Sequence, residues 1–62
     1  MYYRLKFKIL EKYGTQSAFA RACGKSENWI SRIITGRQRP SKHDLDLILT
    51  NLGLEDIGDL FR

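Results

Sequence analysis

Glycines at positions 14, 24, 36 and 53 cut this 62-residue chain into segments of at most sixteen residues, each with room for one helix and little else. Within the segments, apolar residues recur at helical spacing. Leu5, Ile9 and Tyr13 share a face with Phe7 and Leu10 beside it, so about Tyr2 to Tyr13 reads as a first amphipathic helix that Gly14 ends. Thr15 is placed to cap a second, short helix with Phe19, Ala20 and Cys23 on one face, and Gly24 follows where a left-handed C-terminal conformation is needed. Ser26 is an N-cap for a third helix through about Thr35, with Glu27 in its favourable first turn and Trp29, Ile30, Ile33 and Ile34 at helical spacing. Ser41-Lys42-His43-Asp44 has the Ser-x-x-acid order of a capping box, ahead of Leu45, Ile48, Leu49 and Leu52 in a fourth helix. A short fifth turn or helix is expected from Glu55 to Phe61, with Ile57, Leu60 and Phe61 facing inward or toward a partner and Gly58 weakening the helical alternative. No strand pattern competes, because Ile33-Ile34-Thr35 continues a helical face into Gly36. The expected fold is all-α, a bundle of four to five helices.

A chain of 62 residues forms one domain over 1–62, since a core this small buries only about 60% of the surface its unfolded chain exposes. Cys23 has no second cysteine to bridge to, and no Cys/His spacing for zinc surrounds it, so it reads as a small core residue in a reducing cytoplasm. The chain has no apolar run near the roughly 20 residues of a membrane span, and Met1 to Lys6 lack the apolar stretch of a signal peptide. No membrane association and no export are expected. One His, one Cys and no phosphate-binding loop offer little from which to assemble a nucleophile, a base and a charge stabiliser, so an enzyme is not expected. Asp44 with Asp46, and Glu55 with Asp56 and Asp59, lack the oxygen-rich loop spacing of a cation site, and neither a metal nor a cofactor is expected.

The net charge of +4 conceals a split. Residues 1–42 hold ten of the eleven Lys and Arg against Glu11 and Glu27, while residues 43–62 hold Arg62 against five acids. A basic first part and an acidic close suit a protein that meets an anionic polymer on one side, with the acids keeping the far side away.

The densest information lies in QSAFARACGKSENWISRIIT, Gln16 to Thr35. Two helices that cross steeply through a three- or four-residue turn need a small side chain at closest approach and a turn residue tolerant of positive φ. Ala20 and Gly24 meet those needs. Ile30 and Ile33 lock the second helix of the pair, leaving Glu27, Asn28, Ser31, Arg32 and Thr35 as a face without large apolar groups. This segment resembles the helix-turn-helix of the phage Cro and repressor family, the lambda-repressor-like DNA-binding domains. The likeness covers nearly the whole chain: GRQRPS at Gly36 to Ser41 resembles the family's basic loop, and LGLEDIGDLF at Leu52 to Phe61 its closing segment. Two departures stand out. Lys25 occupies a position that is usually apolar, and Trp29 is larger than most occupants of its place.

The resemblance implies a bacterial or phage-encoded transcriptional regulator, Cro-like by length, that binds double-stranded DNA. Gln16 would anchor a phosphate at the start of the second helix. In the major groove, Arg32 would pair with guanine O6 and N7, Asn28 with adenine N6 and N7, and Glu27 with cytosine N4, beside adaptable contacts from Ser31 and Thr35. Ser26 would divide between cap and phosphate, while Lys25, Arg37, Arg39 and Lys42 would supply phosphate contacts. Glu27 has a second reading as a stabiliser of the helix N-terminus, Trp29 reads as packing, and His43 as a helix-start residue. A homodimer through Ile57, Leu60 and Phe61 would read two half-sites. Two other classes compete: an antitoxin-type interaction module on the same fold, with Trp29 or the Ile57, Leu60, Phe61 group as its adhesive patch, and RNA binding, disfavoured by the lack of an exposed aromatic platform.

Overall fold

The computed structural model describes residues 1–58, 60 and 61. Four helices account for most of them, with no strand among the described residues: α1 over Tyr3–Tyr13, α2 over Gln16–Ala22, α3 over Glu27–Ile34 and α4 over Lys42–Leu52. Each contributes one apolar stripe to a common core. Leu5 and Ile9 of α1, Phe19 and Ala20 of α2, Ile30, Ile33 and Ile34 of α3, and Ile48 of α4 are all within 1% of complete burial. Removing each of the larger side chains from water contributes about 1.5–3 kcal/mol.

Local chemistry sets the helix ends. The Thr15 hydroxyl accepts from the Ala18 N–H at 3.0 Å, and the Ser26 hydroxyl from the Trp29 N–H at 3.4 Å. Ser41 and Asp44 form a reciprocal capping box at the start of α4. At the other ends, α2, α3 and α4 close with one repeated device, in which a glycine N–H reaches back three residues and the next N–H reaches back five. The pairs are Gly24 to Arg21 with Lys25 to Ala20, Gly36 to Ile33 with Arg37 to Arg32, and Gly53 to Thr50 with Leu54 to Leu49. At Gly24 the device needs φ +74°, which places the glycine in the left-handed region.

Tertiary bonds then fix α1 and α4. The Tyr13 hydroxyl donates to the Asn51 carbonyl at 2.7 Å, and its ring meets Phe19 edge-on with centroids 5.2 Å apart. The Tyr2 N–H donates to the Ile34 carbonyl at 2.8 Å. This bond ties the start of the chain to the end of α3, and α1 begins at Tyr3 rather than Tyr2, with no side-chain cap. Cys23 is buried as a core residue, and its environment pushes the thiol pKa up.

Of the two alternatives for the closing segment, the described residues between Leu54 and Phe61 take the turn and form no fifth helix. Gly58 has φ +52°, and the Leu60 N–H donates to Ile57 O at 3.0 Å. Leu60 is only 4% exposed and joins the core, while Ile57 and Phe61 are half-buried against it and Phe61 meets Tyr2 edge-on. The chain itself thus covers Leu60, the inward of its two expected orientations, which takes it out of the expected dimer contact. Asp59, counted among the closing acids, and Arg62 lie outside the described residues.

An ideal Cβ built on Gly24 meets no atom within 4 Å, so Gly24→Ala tests backbone conformation alone. The expected loss is about 1–2 kcal/mol in urea unfolding, with a smaller loss for Gly24→Asn, whose side chain tolerates the left-handed region better. Equal stability of Gly24→Ala and wild type would contradict this account of the turn.

Candidate nucleic-acid interface

Helices α2 and α3 meet where Ala20, with no exposed surface, lets the backbones approach. Across the turn, Ser26 is extended at φ −87° and ψ 160° and starts α3 with its capping hydroxyl. Of the two roles read for Ser26, the cap is therefore seen directly; the side chain remains exposed. Helix α3 is two-sided. Trp29, Ile30, Ile33 and Ile34 are buried, whereas Glu27, Asn28 and Arg32 are exposed and Ser31 and Thr35 partly so. Asn28, Arg32 and Thr35 follow one another at intervals of four and three residues, so they lie along a single face. The Thr35 hydroxyl donates within its own helix end, to Ser31 O at 2.9 Å and Arg32 O at 3.3 Å, which leaves it as an acceptor toward a ligand.

The remaining candidate residues lie on the segments that precede and follow α3. Gln16 is the half-buried first residue of α2, and Lys25 is exposed in the turn. Arg37 and Arg39 are exposed in the loop after α3, and exposed Lys42 begins α4, followed by exposed His43. That loop does not leave α3 freely. The N–H groups of Arg37 and Gln38 both donate to the Arg32 carbonyl, at 2.9 and 3.1 Å. The Arg32 Nε–H donates to Gln38 Oε1 at 3.0 Å. The sequence pattern does not mark Gln38 as a site residue. Its only signal there was a position just beyond Gly36, because a contact across a turn has no helical periodicity to reveal it.

Behind the face, Trp29 is 6% exposed and packs into the core. The Lys25 Nζ lies 5.9 Å from its ring centroid, so the unusual lysine and the large indole accommodate each other. Asp44 is 8% exposed; its Oδ2 accepts from the Ser41 N–H at 3.0 Å, and its own N–H donates to Ser41 Oγ at 3.1 Å. Its carboxyl pKa is held below the ordinary 3.8, mainly by the Ser41 N–H. Burial opposes this, and the Ser41 hydroxyl, the Trp29 indole and the Lys25 charge assist it. The indole N–H is buried and completes no hydrogen bond of ordinary geometry, yet it lies near enough to the carboxylate to favour its charge.

Two helices of seven and eight residues, joined by a glycine turn and presenting one polar helix face, define a helix-turn-helix. The profile of the helix-turn-helix domain family matches residues 11–60, and the chain belongs to that family of DNA-binding domains. No curated protein and no solved structure matches the chain significantly.

The Asp44 cap has a defined pH signature. Because its folded pKa is lowered, the ionised cap stabilises the fold fully above the ordinary 3.8, and that contribution is lost as pH falls through the lower folded value. Asp44→Asn is expected to cost about 1 kcal/mol in urea unfolding at neutral pH. The cost should shrink as pH falls through the lowered folded pKa, below which the wild-type carboxyl is protonated too. A cost that does not change with pH would assign the effect to packing instead.

Proposed function

We propose that this chain is a sequence-specific transcriptional regulator of the Cro and repressor type, which lays α3 in the major groove of duplex DNA and acts by binding rather than catalysis. The observation that carries this reading is the division of α3: four apolar side chains are buried while Asn28 and Arg32 stand exposed on the opposite side. In this reading Arg32 pairs with guanine O6 and N7, and Asn28 with adenine N6 and N7. Ser31 and Thr35 supply adaptable contacts. Glu27 lies in the first turn, where it stabilises the helix and can accept from cytosine N4. Lys25, Arg37, Arg39 and Lys42, with Gln16 and Ser26, hold phosphates and set the register without reading sequence.

One α3 spans only a few base pairs, so the proposed working form is a homodimer on half-sites about 34 Å apart. Ile57 and Phe61 keep some surface for that contact, whereas Leu60 has little to offer. Sedimentation that gives a monomer both free and on a selected duplex would remove the dimer.

The antitoxin-type reading loses two expected anchors, since Trp29 and Leu60 are both buried. What favours a protein partner instead is α1, where Phe7 is 63% and Tyr3 58% exposed, against the expectation of no exposed aromatic platform, and Phe7 lines a groove of about 400 Å³ with Leu54 and Ile57. A partner seated there would co-purify through high salt.

Selection from a random duplex library tests the main reading directly. DNA reading requires enrichment of one sequence and a log–log salt slope of about −0.9 per neutralised phosphate. Arg32→Ala is expected to remove about 1–3 kcal/mol of discrimination at one base pair. Arg39→Ala is expected to weaken all duplexes evenly and to lower the slope by about one. If both variants lose affinity without changing selectivity, the division between base and phosphate contacts fails.

A further inference from the structure

An arginine side chain can offer paired donors from two edges, one using Nε with a terminal nitrogen and the other using both terminal nitrogens. In this chain the choice is already made, because the Arg32 Nε–H is committed to Gln38 Oε1 at 3.0 Å. The acceptor is itself held in place. Gly36 at φ +82° turns the chain back so that the Arg37 and Gln38 N–H groups share the Arg32 carbonyl, and Gln38 is half-buried while Arg32 is exposed. Backbone and side chain of Gln38 therefore both close onto the same residue of α3. A long, exposed arginine otherwise spreads over many rotamers, and ordering it on DNA would weaken binding.

We infer that Gln38 is a positioning residue for base reading: it holds the Arg32 guanidinium so that its two terminal nitrogens point outward as a pair, matched to guanine O6 and N7. Specificity for a G·C pair then depends on a loop residue that does not touch the base. The inference rests on the DNA-reading proposal above and adds to it the residue that sets the arginine's orientation.

Competition binding on the selected duplex, with the G·C pair opposite Arg32 kept or exchanged, tests this in wild type, Gln38→Ala, Arg32→Ala and the double variant. Gln38→Ala is expected to reduce the guanine preference on the order of tenfold, as for residues in direct contact, and to have no further effect once Arg32 is alanine. Gln38→Glu restores an acceptor and should recover the preference, at lower affinity for every duplex. In the free protein, the ¹⁵N–¹H signal of the Arg32 Nε group should shift and broaden in Gln38→Ala while the backbone spectrum stays folded. A preference that Gln38→Ala leaves intact, or lowers equally without Arg32, overturns the inference and leaves the regulator reading standing. A wild type that selects no duplex overturns the regulator reading and the guanine role together. An Nε signal indifferent to Gln38→Ala overturns the positioning itself, whatever the DNA result.

Discussion

At the corner between α2 and α3, the Lys25 N–H reaches back to the Ala20 carbonyl at 2.9 Å while Gly24 holds φ +74°. That closed loop fixes the direction in which the chain leaves α2, and so decides which side of α3 faces the core. With Ala20 at the crossing, Ile30 and Ile33 pack to complete burial. The polar residues of α3 are then turned outward by exclusion, because no alternative rotation would bury the isoleucines. The outward face is a by-product of the packed one.

The same glycine closure recurs after α3, with a different result. There the reversed chain stays attached to the helix it has just left, and the basic loop begins as an extension of the polar face of α3. Three of the contacts made by the Arg32 carbonyl, with Arg37, Gln38 and Thr35, belong to this junction. From the other side, the Tyr2 N–H occupies the carbonyl of Ile34. The end of α3 is thus bound both to the loop that follows it and to the start of the chain.

What could be read in the sequence was largely what is local. Thr15, Ser26 and Ser41 cap the helices they precede, and the glycines end them, because each device needs only a few consecutive residues. Helical spacing likewise marked which residues of α3 are buried. Contacts between separate elements were harder to see. The Lys25, Trp29, Asp44 group joins a turn, α3 and the start of α4, and no pattern along the chain relates them. Arg32 and Gln38 are related through a reversal whose side-chain consequence depends on loop geometry. The apolar residues near the C-terminus were ambiguous for another reason: a hydrophobic side chain is satisfied equally by its own core or by a neighbour. Only the fold shows that Leu60 is covered from within.

Trp29 is the sole tryptophan of the chain, and it sits at the base of α3 with its indole N–H close to a carboxylate and an ammonium group over its ring. The molecule therefore carries a natural fluorophore at the hinge of its polar face, without competition from a second indole. Its emission wavelength and quenching report the burial of the indole and the charges of Lys25 and Asp44 beside it. Stopped-flow mixing with any ligand of that face can be followed through it, with no dye attached.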